Sequence, residues 1–204
     1  SSDIVILSVK PQFYAEVIAE IKDDVREDQI IITIAPGKTL AWLKEQFGKN
    51  VKIVRTMPNT PALVGAGMTA ACPNEYMTKE EIAYVLTLLE SFGRVEIIPE
   101  RLMDTVVSVS GSSPAYVFMF IEAMADAAVS GGMPRAQAYQ FAAQAVLGSA
   151  KMVLETGKHP GELKDMVCSP AGTTIEAVRV LEEKGFRSSV IEAMKTCEEI
   201  SKSM

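Results

Sequence analysis

The stretch DIVILSVKP, residues 3–11, decides the fold of this chain. Its apolar and mostly β-branched side chains run almost without interruption up to a lysine and a proline. A continuous apolar run of this kind is typical of a strand that is buried on both faces of a parallel sheet. The proline ends the strand and leads into a helix, because it cannot donate a main-chain hydrogen bond. A chain rarely begins inside its own sheet, so we expect further α/β segments to precede this strand.

Strands and helices alternate through the whole first half of the sequence. Strands are predicted at residues 29–35, 51–57, 68–71 and 94–98, and helices at 12–22, at 39–47 and after the capping box formed by Thr78 and Glu81. Such alternation indicates βα units and an open parallel sheet. The strands resemble the second half of a Rossmann-like dinucleotide-binding domain. No GxGxxG motif follows any strand, so the part that grips a pyrophosphate is absent from this sequence.

From Pro99 onward the sequence predicts helices only. They cover residues 101–110, 113–130 and a segment that follows the GGMP turn and ends near residue 156, with Ser113 and Pro114 as N-cap and first helical residue. Within residues 115–129 only Glu122 and Asp126 are charged, and a helix so apolar must be covered on all sides. A small helical domain offers little cover, which favours a second copy of the chain. A core helix inside a monomer is the alternative.

Composition excludes several classes of protein. The 204 residues are 48% hydrophobic and carry a formal net charge of −6, which argues against nucleic acid or an anionic membrane as the main partner. The longest apolar run, residues 115–121, is too short to cross a bilayer. Three scattered cysteines and a single histidine, His159, argue against a disulfide scaffold and against a metal site, and fit the reducing cytoplasm.

The segment VCSPAGTTIEAV, residues 167–178, begins a helix in an unusual way. Thr173 and Glu176 have the spacing of a capping box, which would account for the motif by itself. Ser169, Gly172 and Thr174 surround the same helix end, where free N–H groups and the helix dipole favour an anion. The local pattern therefore leaves two interpretations, a capped helix or a socket for a carboxylate or phosphate.

The predicted strand ends form a second group of candidate residues. In an open α/β sheet, ligands bind beyond the carboxyl ends of the strands. In this sequence those ends are residues 8–11, 35–37 and 57–60. Lys10 follows a buried strand, so we expect its ammonium group to emerge at the sheet edge beside a bound anion. A lysine that simply points into solvent is the alternative.

Five motifs together resemble pyrroline-5-carboxylate reductase and occur in the family's order. They are SVKPQ (8–12), RTMPNTP (55–61), VSGSSPAYVF (109–118), GKHPGELKDMVCSPAGTTIEAV (157–178) and LEEKGFRSSV (181–190). The resemblance implies an α/β plus all-α protein. A partial NAD(P)-binding Rossmann domain would span residues 1–98. A helical substrate-binding and dimerisation domain, similar to the C-terminal domain of 6-phosphogluconate dehydrogenase, would span residues 99–204.

The resemblance also implies a reaction, in which NADPH or NADH delivers a hydride to the C=N carbon of 1-pyrroline-5-carboxylate and gives L-proline. Thr174 and Lys10 would be catalytic, with the Thr174 hydroxyl meeting the ring nitrogen. The substrate would contact Ser169, Gly172, Thr173 and Thr174. The cofactor would contact Ser8, Val9, Lys10, Ala35, Asn59 and Pro114. The protein would be a cytoplasmic homodimer or a larger assembly of dimers, and these 204 residues alone, without the family's first βα units, would be inactive.

The sequence departs from the family pattern at two positions, and two other functions are alternatives. Ala171 stands where paired glycines are common, so we expect residue 171 to avoid positive φ. Pro36 removes a main-chain donor from a strand-end turn. A non-enzymatic paralogue that serves as a dimerisation or regulatory module is one alternative function. A related β-hydroxyacid or imine dehydrogenase is the other.

Overall fold

A computed structural model describes residues 2–203 of the chain, and these residues form two compact units. The first unit contains the residues up to Pro114 together with those from Met194 onward. The second unit is Ala115–Ala193. Residues 99–114 thus belong with the sheet, although the predicted functional boundary at residue 98 stays a prediction.

A five-stranded sheet with three flanking helices forms most of the first unit. The strands are β1 (Ile4–Leu7), β2 (Ile30–Thr33), β3 (Lys52–Met57), β4 (Gly67–Pro73) and β5 (Gly93–Ile97), in the order β1-β2-β3-β4-β5. The helices are α1 (Tyr14–Ile21), α2 (Leu40–Phe47) and α3 (Lys79–Glu90), with a 3-10 turn at Pro11–Phe13 before α1. The α/β architecture predicted from the sequence is confirmed.

The direction of β4 corrects the prediction of a fully parallel sheet. β1, β2 and β3 are parallel to one another, but β4 runs antiparallel to β3 and parallel to β5. A parallel crossover needs about a dozen residues or more, usually with a helix. The connection from β3 to β4 spans residues 58–66 and holds only a 3-10 turn, Thr60–Val64. The chain therefore returns beside β3 in the opposite direction.

Apolar side chains on both faces of the central strands form the core. One cluster packs Ile31 and Ile53 against Tyr14 and Leu43 from α1 and α2. A second cluster packs Ile32 and Val54 against Val85 and Leu89 of α3. Burial on both faces explains why the sequence of β2, IIIT, is almost continuously apolar.

Helices make up the rest of the chain. They are α4 (Met103–Val106), a π-helix (Val107–Gly111), α5 (Ser113–Ser130), α6 (Arg135–Thr156), α7 (Pro160–Val167), α8 (Thr173–Glu183) and α9 (Phe186–Lys202). The capping box of Thr78 and Glu81 before α3 is confirmed, with both hydrogen bonds formed. Ser113 is the first residue of α5 rather than its N-cap, because Ser112 keeps helical backbone angles after the π-helix.

Large apolar side chains remain exposed on the helices of the second unit. Phe118 is 60% exposed, Met119 68%, Phe141 64% and Leu154 60%. The described residues of α5 and α6 that are fully buried are the alanines Ala125, Ala138 and Ala142. The helical residues Glu100–Ser130 are also long and apolar enough to cross a membrane, with a mean hydropathy of 1.2 in an 18-residue window. The sequence prediction considered only the uninterrupted apolar run 115–121 and therefore missed this segment. A helix covered by another protein chain has the same composition, so this feature by itself assigns no membrane.

A buried ion pair joins β3 to the segment that follows β5. The side chain of Arg55 is 3% exposed, and its Nη1 lies 2.9 Å from Oε1 of Glu100, which is 32% exposed. The same carboxylate oxygen accepts a hydrogen bond of 2.7 Å from the main-chain N–H of Leu40 at the start of α2. The Nε of Arg55 has no partner among residues 2–203. Glu100 therefore neutralises a buried cation and also satisfies a helix N-terminus.

We expect the two members of this pair to differ in their effect on stability. Glu100→Gln keeps the shape but leaves the buried Arg55 uncompensated, and should lower the free energy of unfolding by about 2–3 kcal/mol. Arg55→Met leaves a carboxylate that water can reach, and should cost less. Urea denaturation at a fixed protein concentration measures both. The double variant should recover part of the loss, and equal losses in the two single variants would contradict this account.

Candidate functional site

The carboxyl ends of β1, β2 and β3 lie at the same edge of the sheet, because the three strands are parallel. Tyr14 holds the first two ends together. Its fully buried hydroxyl donates to the carbonyl of Leu7 at 2.6 Å and accepts from the N–H of Ile34 at 3.2 Å. Burial raises the pKa of this phenol, which therefore stays protonated as a donor. Tyr14 sets the separation of the two strand ends that carry Ser8 and Ala35.

The turn after β1 presents the predicted cofactor residues to solvent. Ser8, Val9 and Lys10 are exposed, and Val9 is 37% exposed. Lys10 has extended backbone angles before the 3-10 turn, and its carbonyl accepts from Phe13 N–H at 2.9 Å. No ion-pair partner of Lys10 is found in the part of the chain that the structure describes. An exposed ammonium group at the carboxyl edge of the sheet fits an anionic ligand such as a cofactor phosphate.

Ala35 and Asn59 complete the predicted residues at this edge. Ala35 is 2% exposed, so its side chain is part of the core and only its backbone could face a ligand. Asn59 is half-buried, and its amide already makes two hydrogen bonds. Its Oδ1 accepts from the N–H of Met68 at 2.9 Å, and its Nδ2 donates to the carbonyl of Ser110 at 3.0 Å. Pro114 is half-buried in the first turn of α5 and belongs to the same unit.

The predicted anion socket lies between α7 and α8, in the second unit. The helix α7 begins as predicted at His159 and Pro160, with His159 Nδ1 accepting from the N–H of Gly161 at 3.0 Å. After Cys168 the chain makes a turn closed by a 3.1 Å hydrogen bond from Gly172 N–H to Ser169 C=O. An added Cβ at Gly172 would lie 2.4 Å from the Ser169 hydroxyl oxygen, so a side chain at this position would require that hydroxyl to move.

Residue 171 does not follow the expectation that alanine would avoid positive φ. Ala171 has a φ of 56°, while each of the other positive-φ residues among those described is a glycine. Pro170 and Ala171 occupy the two central positions of the turn, and a type II turn takes proline first and a positive φ second. The turn geometry therefore imposes on Ala171 a conformation that glycine would adopt more easily.

The predicted capping box of Thr173 and Glu176 is also wrong. Gly172 is the N-cap residue of α8, and no side-chain cap hydrogen bond is formed. The Glu176 carboxylate instead accepts a hydrogen bond of 3.0 Å from Nε of Arg179, one turn further along the helix. The first-turn amides of a helix have no partner within the helix itself. Without a side-chain cap they remain available to an anion at the positive end of the helix dipole.

The structure thus brings the predicted residues together in two separate groups. Ser8, Val9, Lys10, Ala35 and Asn59 lie at the carboxyl edge of the sheet, and Ser169, Gly172, Thr173 and Thr174 lie at the start of α8. Thr174 is half-buried and Thr173 exposed, so the two hydroxyls differ in environment. Tyr14 was missed by sequence reasoning, because a tyrosine on an apolar helix face predicts only core packing.

Other reactive groups add little to these two groups. Cys72, Cys168 and Cys197 are free thiols, and burial raises the pKa of Cys72. A buried, protonated thiol is a poor nucleophile. Asp126 forms an ion pair with Arg135, and both side chains lie on the surface. Within residues 2–203, no three His, Cys, Asp or Glu side chains are grouped to hold a metal ion.

Comparison with known proteins gives a consistent set of relatives. Residues 100–204 match the family model for pyrroline-5-carboxylate reductase dimerisation, and residues 1–37 match that for NADP oxidoreductase coenzyme F420-dependent. The chain is 62% identical over 203 residues to pyrroline-5-carboxylate reductase of Escherichia coli K12, covering 100% of this chain and 76% of that protein. It is 43% identical over 206 residues to the enzyme of Arabidopsis thaliana, covering 99% and 74%.

Solved structures give the same result. The chain superposes with a TM-score of 0.92 and 35% identity on pyrroline carboxylate reductase of Plasmodium falciparum with NADP bound, covering 98% of this chain and 76% of that one. The reductase of Coxiella burnetii also gives 0.92 and 35%, covering 100% and 76%.

The strained backbone of Ala171 makes a measurable prediction. Ala171→Gly should raise the free energy of unfolding by up to about 1 kcal/mol, because relief of the positive φ outweighs the added freedom of the unfolded chain. Ala66 is an exposed loop alanine without positive φ, so Ala66→Gly should instead lower stability by about 0.4–1 kcal/mol. Chemical denaturation compares the two. A loss of equal size in both variants would show that residue 171 is not strained.

Proposed function

Because the chain belongs to the pyrroline-5-carboxylate reductase family, we propose that its two groups of residues divide the tasks of one reaction. The protein is an NAD(P)H-dependent oxidoreductase that reduces a C=N bond, converting 1-pyrroline-5-carboxylate to L-proline in the last step of proline biosynthesis. The observation that carries this function is 62% identity along the full chain to a named reductase. The non-enzymatic and β-hydroxyacid alternatives have no comparable support.

The start of α8 is the proposed substrate site. The substrate carries a carboxylate, which needs a positive socket without an opposing negative charge. The uncapped first turn of α8 offers main-chain donors at the positive end of the helix, and Arg179 holds the nearby Glu176 carboxylate in an ion pair. Ser169, Gly172 and Thr173 line this socket in our proposal.

Thr174 is the proposed catalytic hydroxyl. A hydroxyl can donate or accept, so it can hold the ring nitrogen of the substrate in the orientation that hydride transfer requires. Its half-buried position supports this role, because partial exclusion of water strengthens such a hydrogen bond. The socket contains no strong acid, so the proton arrives with the substrate iminium or through water.

The carboxyl edge of the sheet is the proposed cofactor site. When bound, a reduced nicotinamide cofactor supplies the hydride. Ser8, Val9 and Lys10 form an exposed turn, and the Lys10 ammonium group is free to meet an anionic part of the cofactor or the substrate carboxylate. Ala35 contributes backbone only, and Pro114 offers an apolar surface. We propose that residues 1–98 form the cofactor-binding domain and that residues 99–204 form the substrate-binding and dimerisation domain.

A second copy of this chain is the proposed partner. Residues 100–204 match a dimerisation model, and the same residues carry the exposed apolar faces of α5 and α6. An apolar cavity of about 420 Å³ also lies open between α6 and α7. It is lined by residues such as Met152, Val153 and Leu163. Faces this apolar are stable in water only when another surface covers them. The net charge of −6 makes this chain a poor partner for nucleic acid. We propose that the dimer is cytoplasmic.

The role of Thr174 is tested by steady-state kinetics of the full-length protein. Thr174→Ala should lower kcat/KM for pyrroline-5-carboxylate roughly 10- to 100-fold, because a donor to the reacting atoms is lost. Thr174→Ser should retain most of the activity. Thr156→Ala is the control and should resemble the wild type, because the Thr156 hydroxyl bonds only to main-chain groups near the end of α6, Met152 C=O and Lys158 N–H. An active Thr174→Ala variant would refute the assigned role, and a wild type without turnover would refute the function.

Dimer formation is tested by light scattering coupled to size exclusion. The wild type should have the mass of two chains or an even multiple. Met119→Glu places a charge on the exposed face of α5 and should reduce the mass to one chain or unfold α5. Tyr84→Glu, at a residue with a similar exposure of 62% on α3, should leave the mass unchanged. An unchanged mass for Met119→Glu would exclude this face as the interface.

A further inference from the structure

The π-helix Val107–Gly111 interrupts the helical path between α4 and α5. Its wider turn is visible in the hydrogen bond of 2.7 Å from Ser112 N–H to the carbonyl of Val107, five residues earlier. Single π turns within α-helices are uncommon and frequently occur at functional sites. In this chain the π-helix ends three residues before the proposed cofactor residue Pro114.

Asn59 connects this π-helix to the carboxyl edge of the sheet. It follows the end of β3, and its Nδ2 donates to the carbonyl of Ser110 within the π-helix. Its Oδ1 accepts from Met68 N–H at the start of β4. One side chain thus satisfies a donor and an acceptor on two different chain segments. The amide orientation is fixed by these partners, because neither hydrogen bond would form with oxygen and nitrogen exchanged.

The last turns of α9 hold the same segment through other contacts. Ser201, which is 3% exposed, donates to the Asp104 carboxylate at 2.7 Å. Cys197 Sγ lies 3.2 Å from the Ser112 hydroxyl oxygen. Since residue 197 is paired with 112 and residue 201 with 104, α9 runs antiparallel to the segment. The π-helix is therefore held from the sheet edge and from α9, and Asn59 supplies the contact at the ligand edge.

We propose that Asn59 is a positioning residue, which fixes the π-helix and the start of α5 at the sheet edge where the cofactor binds. This inference rests on the proposed function. It assigns Asn59 a different role from direct cofactor contact, since both ends of its amide are already engaged within the protein. A shift of this segment would displace Ser113 and Pro114 relative to the strand ends Ser8–Lys10, whereas neither hydrogen bond of the Asn59 amide involves residues 169–174.

Asn74 provides a matched control. It is also a half-buried asparagine whose amide bridges two main-chain groups at the start of β3. Its Oδ1 accepts from Ile53 N–H at 3.1 Å, and its Nδ2 donates to Val51 C=O at 2.8 Å. It lies at the opposite, amino end of β3, away from the carboxyl edge. The same substitution at the two positions therefore removes the same kind of hydrogen bond, once near the proposed cofactor site and once far from it.

The test compares Asn59→Asp and Asn74→Asp in the full-length protein. Each substitution keeps the acceptor and replaces the donor with an oxygen that repels the facing carbonyl. Both should lower the melting temperature to a similar extent. Asn59→Asp should also lower kcat roughly 10- to 100-fold and raise KM for NADPH, as expected for a displaced reacting partner. Its KM for pyrroline-5-carboxylate should stay within about twofold of the wild type, and Asn74→Asp should keep all three constants.

The outcomes separate the possible errors. Wild-type kinetics in Asn59→Asp would overturn the inference, as would equal kinetic losses in the two variants, which would indicate a general stability effect. A rise in KM for pyrroline-5-carboxylate alone would also overturn it. If Asn59→Asp does not fold, Asn59→Ser gives the same readout, because the single, shorter hydroxyl cannot bridge Met68 N–H and Ser110 C=O at once. A wild-type protein without turnover would refute the proposed function itself, whatever the contrast between the variants.

Discussion

The parallel pairing of β1, β2 and β3 is the constraint on which the rest of this structure depends. It brings three strand ends to one edge, and every chain segment that leaves this edge must satisfy its own main-chain groups there. Tyr14 does so between β1 and β2, and Asn59 does so between β3, β4 and the π-helix. These side chains set the positions of the exposed residues that the cofactor would meet. The edge is thus built by polar groups that never need to touch the ligand.

The start of α8 differs from these strand ends, because no side chain caps it. Thr39, Thr78 and His159 cap the starts of α2, α3 and α7 with their side chains. The starts of α1, α4, α6 and α8 have no side-chain cap. The start of α8 has a glycine at the cap position, no side-chain cap and a strained alanine immediately before it. A side chain that capped this helix would fill the space that an anion needs. The uncapped start of α8 therefore leaves room for the carboxylate that we propose to bind there.

The helical unit exposes more apolar surface than its own residues can cover. The buried residues of its two long helices are alanines, whereas most of its phenylalanines, leucines and methionines are exposed. Such a unit gains most of its stability when a second surface excludes water from those side chains. The match of the same residues to a dimerisation model identifies that surface as another copy of the chain. Thr174, the catalytic residue that we propose, lies in this same unit.

The sequence by itself determined the alternation of strands and helices, the change to an all-helical half, the exposed apolar helices and the family, because periodicity and motifs are local properties of the chain. Only the tertiary structure decided the antiparallel direction of β4, the positive φ of Ala171, the missing cap of α8 and the partners of Tyr14, Arg55 and Asn59. Each of these depends on which distant segment is nearby when a main-chain or charged group must be satisfied. Residue patterns along one segment do not contain that information, since the partner is chosen by the packing of the whole unit.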